Sequence, residues 1–141
     1  MVQLIVGNRG SGKTKTLITH VNKAADVSKG NVVCIERGDS LKFDLHHNIR
    51  LIDIKEYSLS GADAYYGFIA GLLAGNYDIT DIFGDATFKI LCGRDDKDFD
   101  ALAKFVGQID ALTKGDGPAV MFTVSCDAAD LPESLRKYIA Q

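Results

Sequence analysis

The sequence has little of what marks membrane, secreted or linker segments. Its apolar runs fall far short of the roughly 20 residues that cross a bilayer, and the N-terminal run, residues 2–6, is too short for a signal peptide. The three cysteines are odd in number and lack CxxC spacing, so they indicate neither a disulfide framework nor a metal site. We therefore expect a cytoplasmic protein without a membrane segment, in which the cysteines are buried as small hydrophobic residues.

Charge of neither sign is concentrated in the sequence. Lys and Arg number 16 and Asp and Glu 19, which gives a formal net charge of -3, and no basic cluster stands out. A dedicated nucleic-acid surface usually carries such a cluster, so we expect none here. Internal repeats, low-complexity tracts and Pro-rich linkers are also missing. We expect residues 1–141 to form a single domain, with 46% hydrophobic residues to supply its core.

Hydrophobic periodicity alternates between strand and helix patterns along the chain. Short apolar runs typical of buried strands cover residues 2–6, 32–35, 49–54, 79–84 and 120–125. Helical spacing covers residues 13–28, 61–75, 99–113 and 131–140, the last after a capping pattern that starts at Asp130. Residues 41–45 alternate apolar and polar side chains, which predicts a small hairpin or edge strand. Strands separated by helices predict a three-layer α/β fold, a parallel sheet with helices on both faces.

The most specific motif is Gly7–Thr14, GNRGSGKT, which lies between the first apolar run and the first helical pattern. It matches the GxxxxGK[ST] phosphate-binding loop (P-loop), whose glycines let successive backbone N–H groups point at a phosphate. In this motif Lys13 would reach the β- and γ-phosphates and act in catalysis, and the Thr14 hydroxyl would hold Mg²⁺. The expected nucleotide-binding residues are Gly7, Asn8, Arg9, Gly10, Ser11, Gly12, Lys13, Thr14 and Lys15. The motif predicts a P-loop NTPase domain that binds Mg-ATP, with GTP as an open alternative.

A P-loop enzyme also needs a carboxylate at a second strand end, to anchor the water shell of Mg²⁺. Asp85 directly follows the strand predicted over residues 79–84 and is the first choice for this Walker B position. Asp53 is the alternative, because Leu51-Ile52-Asp53 is also an apolar run that ends in an acid. In a parallel sheet the ligand lies at the carboxyl ends of the strands, where either residue would be placed.

Hydrolysis further requires a group that orients or deprotonates water. Many P-loop ATPases place Glu directly after the Walker B Asp, but this chain has Ala86 there. Glu36, which ends the strand after the P-loop helix, is the remaining candidate for the catalytic base. Ser125 and Asp127 follow the last strand and are candidates to sense the γ-phosphate.

Two weaker patterns concern arginine and guanine recognition. Arg9 inside the loop and Arg94 after the Walker B strand are candidates to neutralise phosphate charge. Residues 81–84 match DxxG and residues 113–116 match TKxD, two motifs of small GTPases. DxxG begins early in its strand and TKxD follows a helix pattern rather than a strand. The context therefore argues against a small GTPase.

Several longer stretches also carry a resemblance to a known family. They are VQLIVGNRGSGKTKTLI, DVSKGNVVCIERGD, RLIDIKEY, GFIAGLLAGNYDITDIF and FTVSCDAADLPESLRKYI. With them the whole chain resembles a family of small, single-domain bacterial P-loop proteins described as ATP-binding or ATPase, some labelled twitching-motility (PilT-like) ATPase. The resemblance implies that phosphate and magnesium are bound by Gly7, Gly12, Lys13 and Thr14, and that Asp85 takes the Walker B role. Ala86 departs from the Asp-Glu pair of RecA-like and AAA ATPases.

Together these patterns predict a P-loop NTPase with a RecA-like parallel sheet. Because no Glu follows Asp85, we expect slow ATP hydrolysis that a protein partner or a second copy of the chain completes by supplying a charged group. Two alternatives stay open, a kinase for a nucleoside or metabolite and a nucleotide-sensing binding module without turnover. A kinase usually closes an Arg-rich lid over its substrate, and residues 93–98 contain one Arg.

Overall fold

The computed structural model describes residues 1–93 and 96–140. In chain order, their strands and α-helices are β1 (Val2–Gly7), α1 (Lys13–Val27), β2 (Asn31–Glu36), β3 (Arg50–Asp53), α2 (Ala62–Gly75), β4 (Ile79–Gly84), α3 (Thr87–Cys92), α4 (Phe99–Leu112), β5 (Ala119–Ser125) and α5 (Glu133–Arg136). Most of these bounds lie within one or two residues of those predicted from periodicity. Within the described ranges, no helix has the length and apolar composition that crossing a membrane requires.

The five strands form one sheet in the order β1-β5-β4-β2-β3, and every pairing is parallel. Gly7 of β1 pairs with Ser125 of β5, and Gly84 of β4 pairs with Phe122. Parallel pairing brings the carboxyl ends of all strands to the same edge of the sheet. The predicted α/β fold with a parallel sheet is confirmed.

Helices cover both faces of the sheet because its strands are apolar on both sides. On one face, Leu17 and Val21 of α1 pack with alternate strand residues such as Cys34. On the other face, Tyr65 of α2 and Phe105 of α4 pack with the intervening strand residues. The rings of Tyr65 and Phe105 stack with their centroids 4.8 Å apart. Burying one such large apolar side chain stabilises the fold by about 1.5–3 kcal/mol, so the two cores fix the layers.

The strand predicted over residues 41–45 is wrong, because the structure has turns there. Leu41 is buried while Phe43 is 89% exposed, so the alternating pattern does not describe a strand with one covered face. The buried carboxylate of Glu36 accepts hydrogen bonds from the Ser40 hydroxyl at 2.8 Å and from the Leu41 N–H at 3.0 Å. These bonds fold the chain back beside the end of β2.

The helix predicted over residues 131–140 is wrong in its extent and in its start. Residue 130 ends a short 3₁₀ turn, and the helix is limited to Glu133–Arg136. The chain then extends along the outer edge of β1, where the Leu4 N–H donates to the Tyr138 carbonyl at 2.7 Å and the Ala140 N–H donates to the Leu4 carbonyl at 2.8 Å. Pairing the backbone groups of an edge strand outweighs the local helix preference of this segment.

Candidate functional site

A cavity of about 480 Å³ lies at the carboxyl ends of β1, β5 and β4. The strand order makes these three ends neighbours, with β5 in the middle. The lining residues are Asn8, Arg9, Gly10, Lys13, Thr14, Asp85, Ala86, Phe88, Lys89, Lys97, Thr123 and Ser125. The cavity therefore brings the predicted phosphate-binding loop together with the predicted Walker B aspartate and with Ser125.

The loop between β1 and α1 has the backbone that its glycines permit. Gly10 and Gly12 have φ values of +85° and +89°, the left-handed region that residues with a Cβ rarely adopt. The Ser11 N–H donates to the Asn8 carbonyl at 3.0 Å and closes a tight turn. The Lys13 ammonium donates to the same carbonyl at 3.3 Å, so its side chain lies back over the loop.

The N-terminus of α1 offers backbone donors to the cavity. Gly12 at the N-cap provides no side-chain cap, and the first turn contains no acidic residue. The Thr16 N–H donates to the Gly12 carbonyl at 3.0 Å, and the N–H groups of the preceding helical residues, Lys13 to Lys15, come before that first intrahelical bond. Open N–H groups and the positive end of the helix dipole favour an anion at this position.

Asp85 lies opposite the loop and contacts it directly. The Thr14 hydroxyl donates to Asp85 Oδ2 at 3.4 Å. The Thr123 hydroxyl of β5 lies 2.5 Å from Asp85 Oδ1, and it also accepts from the Ala86 N–H at 2.8 Å. The Asp85 N–H donates to the Ile35 carbonyl at 2.9 Å, which ties the strand end to β2. The carboxylate is thus held between two threonines from different elements.

Asp53, the alternative Walker B residue, lies elsewhere. It ends β3 at the far edge of the sheet, and β2 separates that strand from β4. Its Oδ1 accepts hydrogen bonds from the Gly38 N–H at 2.8 Å and from the Lys55 N–H at 3.0 Å. Asp53 therefore caps a turn, while Asp85 is the aspartate beside Thr14.

Glu36 and Asp127, two further predicted site residues, are not among the residues that line the cavity. Glu36 is 3% exposed, and its two carboxylate oxygens accept from Ser40 and Leu41, so its role as a base stays a prediction. Asp127 accepts from the Ala129 N–H at 3.0 Å and caps a 3₁₀ turn outside the lining. The prediction for Arg94 falls outside the described residues.

Four lining residues were missed by sequence reasoning: Thr123, Phe88, Lys89 and Lys97. Thr123 had a signal, since it is a polar residue within the otherwise apolar centre of the last strand pattern. Lys89 interrupts the apolar run between Phe88 and Ile90, which also marks it. With Arg9 and Lys13, the two new lysines give the lining four cations. Among its described residues, Asp85 is the one acidic side chain.

The two buried thiols near the site report on its electrostatics. Burial raises the pKa of Cys34 well above its ordinary value of 9.0, and the nearby Asp85 and Glu36 carboxylates raise it further. Burial also raises the pKa of Cys126; there the Lys97 and Lys13 ammonium groups lower it, and the Asp130 and Asp127 carboxylates raise it. Cys34 therefore lies near acidic groups, while Cys126 lies near groups of both signs.

The oxygen donors fit a hard divalent cation. Cis oxygen ligands of Mg²⁺, each about 2.1 Å from the ion, lie about 3 Å apart, close to the 3.4 Å between Thr14 Oγ1 and Asp85 Oδ2. Within residues 1–93 and 96–140, no group of three or more His, Cys, Asp or Glu side chains is arranged to hold a metal ion. Such a cation would therefore depend on phosphate and water oxygens for the rest of its coordination, as Mg²⁺ commonly does.

A scan against protein-family models finds no match, and a search of curated proteins finds no significant relative. The class that the fold defines is an α/β protein with a five-stranded parallel sheet and a cavity at the strand ends. The resemblance to small bacterial P-loop ATPases stays a prediction.

Proposed function

We propose that this chain is a RecA-like P-loop NTPase that binds Mg-ATP in the cavity and hydrolyses it slowly. The observation that carries the proposal is the contact of Thr14, at the start of α1, with Asp85 at the end of β4. The loop and the strand-end carboxylate come from distant parts of the sequence, and the fold brings them together. The placement of β5 between β1 and β4 supports the RecA-like description.

Each part of the site has a distinct task in this proposal. The open N–H groups of α1 and the loop bind the phosphate oxygens, and Lys13 releases the Asn8 carbonyl to contact the β- and γ-phosphates. Thr14 and Asp85 would hold Mg²⁺. When bound, Mg²⁺ supplies positive charge to the phosphate oxygens.

We expect slow turnover because the cavity lacks an obvious general base among its described lining residues. No Glu or His is among the described residues that line it, and Ala86 occupies the position after Asp85. Glu36 would have to give up hydrogen bonds to Ser40 and Leu41 before it could accept a proton from water. General-base catalysis typically contributes 10²–10⁴-fold, so its lack leaves a slow enzyme.

The lack of a Glu or His among the described lining residues also favours a second candidate, a nucleotide-sensing module without turnover. The two candidates share the binding site and differ in the release of phosphate. A kinase would instead transfer the γ-phosphate to an added nucleoside or metabolite without releasing free phosphate, and a phosphorylated acceptor would identify it.

The test is calorimetric titration with ATP and GTP, with and without Mg²⁺, followed by measurement of phosphate release. We expect Mg²⁺-dependent ATP binding and slow release. Lys13→Ala should abolish binding, while Lys15→Ala, the matched control, should retain it because Lys15 contributes its backbone N–H. Equal binding by both variants would overturn the P-loop assignment.

Glu36→Gln in the same assay should lower turnover if Glu36 is the base, and unaltered turnover would remove that role.

A further inference from the structure

We infer that Thr123 is a positioning residue. Its hydroxyl sets the rotation of the Asp85 carboxylate and so determines how well that carboxylate can bind Mg²⁺. This inference rests on the proposed function, because it takes Asp85 as the metal-binding carboxylate. It adds a residue to the site that neither the P-loop motif nor the strand-end pattern contains.

The first argument is the burial of the Thr123 hydroxyl. Thr123 is fully buried in β5, where it pairs with Ile5 of β1 and follows Phe122. A hydroxyl in such surroundings is costly unless its hydrogen bonds are made. Val has nearly the same shape and would avoid that cost, whereas the Thr123 hydroxyl makes hydrogen bonds to Asp85 and Ala86.

The second argument is the direction of the hydrogen bonds. A hydroxyl has one hydrogen, and the Ala86 N–H is a donor, so Thr123 must accept from Ala86. Its own hydrogen is then free for Asp85 Oδ1 at 2.5 Å. Asp85 Oδ1 therefore accepts this bond, and the bond fixes the orientation of the carboxylate.

The third argument is that the two carboxylate oxygens of Asp85 contact different residues. Oδ1 is held by Thr123, and Oδ2 faces Thr14 of α1 at 3.4 Å. Thr123 also fixes the backbone after the aspartate, where Ala86 has a φ of +52° in the left-handed region. The hydroxyl therefore fixes both the side chain of Asp85 and the chain that follows it.

The test compares Thr123→Val, which keeps the shape and loses the hydroxyl, with Thr123→Ser, which keeps the hydroxyl. ATP affinity is measured by calorimetry in saturating Mg²⁺ and in EDTA. We expect Thr123→Val to weaken Mg²⁺-dependent binding about 10- to 100-fold, as loss of a group that orients a metal ligand typically does. Binding in EDTA should stay within about twofold of wild type, and Thr123→Ser should restore most of the Mg²⁺ effect.

A double variant separates positioning from packing. If Thr123 acts through Asp85, then Thr123→Val should add less than about twofold to the Mg²⁺ effect in an Asp85→Asn background. Additive losses, equal losses with and without Mg²⁺, or no rescue by Ser would overturn the inference. Thr123→Ala replaces Val if Val does not fold by circular dichroism. If wild type fails to bind any nucleotide, the proposed function itself fails, whereas a binding wild type with an unaffected Val variant rejects Thr123 alone.

Discussion

Asp85 and Asp53 are chemically alike residues that the fold gives different partners. Asp85 contacts Thr14 and Thr123 at the cavity, and Asp53 caps a turn at the sheet edge. We expect Asp85→Asn to weaken Mg²⁺-dependent ATP binding by about tenfold or more, because the carboxylate charge that attracts the cation is lost. Asp53→Asn is the matched control, and it should leave the affinity unchanged because Asn also serves as a cap. Calorimetry on both variants checks this, and the reverse order would move the metal role to Asp53.

The buried thiol of Cys34 gives the fold a dependence on alkaline pH. Burial, with Asp85 and Glu36 nearby, raises its pKa in the folded state above the ordinary value of 9.0. Above that pH the unfolded chain has lost the thiol proton and the folded chain still binds it, so stability falls as pH rises. One such group contributes a slope of up to about 1.4 kcal/mol per pH unit.

Urea unfolding at a series of pH values from neutral to alkaline measures this slope. Cys34→Ala should be less stable at neutral pH because it leaves a small cavity. Its stability should nevertheless fall less steeply in alkali than that of wild type. Cys126, Tyr65 and Tyr138, whose pKa values burial also raises, contribute to the slope that remains. Parallel curves for the two proteins would show that the Cys34 thiol does not carry the effect.

At the scale of elements, sequence patterns predicted the strands, helices and loops that depend on residues close together in the chain. The strands and long helices follow from hydrophobic periodicity, and the loop Gly7–Thr14 follows from residues that are adjacent in the chain. Asp85 was the first choice over Asp53 from the sequence, but its position beside Thr14 depends on strand order. Sequence periodicity does not contain that order.

The failures at this scale come from specific hydrogen bonds, which hydrophobic periodicity does not show. Residues 41–45 turn instead of forming a strand because the buried Glu36 carboxylate holds the start of the turn. The segment from Lys137 leaves its helix because β1 provides an edge for pairing. Thr123 was missed because its partner, Asp85, lies 38 residues away in the chain. The partner is close in the chain for residues 41–45 and distant for the other two, but a hydrophobic pattern indicates none of these bonds.

Pairing with β1 predicts a structural role for the C-terminal segment. Deleting residues 138–141 removes the backbone bonds of Leu4 to Tyr138 and Ala140 and the bond of the Tyr138 hydroxyl to Asp110 at 3.1 Å. Because β1 carries the P-loop and its outer edge would be exposed, we expect a loss of about 2–4 kcal/mol and self-association. Urea unfolding and light scattering measure the two effects.

Tyr138→Phe is the control for this truncation. It removes the hydroxyl bond to Asp110 and keeps the backbone pairing, so it should cost about 1 kcal/mol and leave the protein monodisperse. A truncated chain as stable as wild type would show that the edge pairing contributes little.

At the scale of the whole molecule, charge is distributed unevenly. The chain has a net charge of -3, yet four cationic side chains line one cavity. Arg9 and Lys13 come from the loop and the start of α1, Lys89 comes from α3, and Lys97 comes from the segment before α4. A polyphosphate bound to the loop would therefore share the cavity with positive groups from three segments of the same chain.

This distribution predicts that the chain supplies its own charge for the terminal phosphates. Lys89→Ala and Lys97→Ala should each weaken ATP binding about three- to tenfold at low ionic strength, and the effect should shrink as salt screens charges beyond about 8 Å. Lys104→Ala is the control, because Lys104 lies on α4 and pairs with Asp63 at 3.9 Å. If turnover per molecule also stays constant over a range of protein concentrations, a second copy is not needed to complete the site. Unchanged affinity in both lysine variants, or turnover that rises with protein concentration, would contradict this prediction. It would indicate that a partner or a second copy supplies the positive charge.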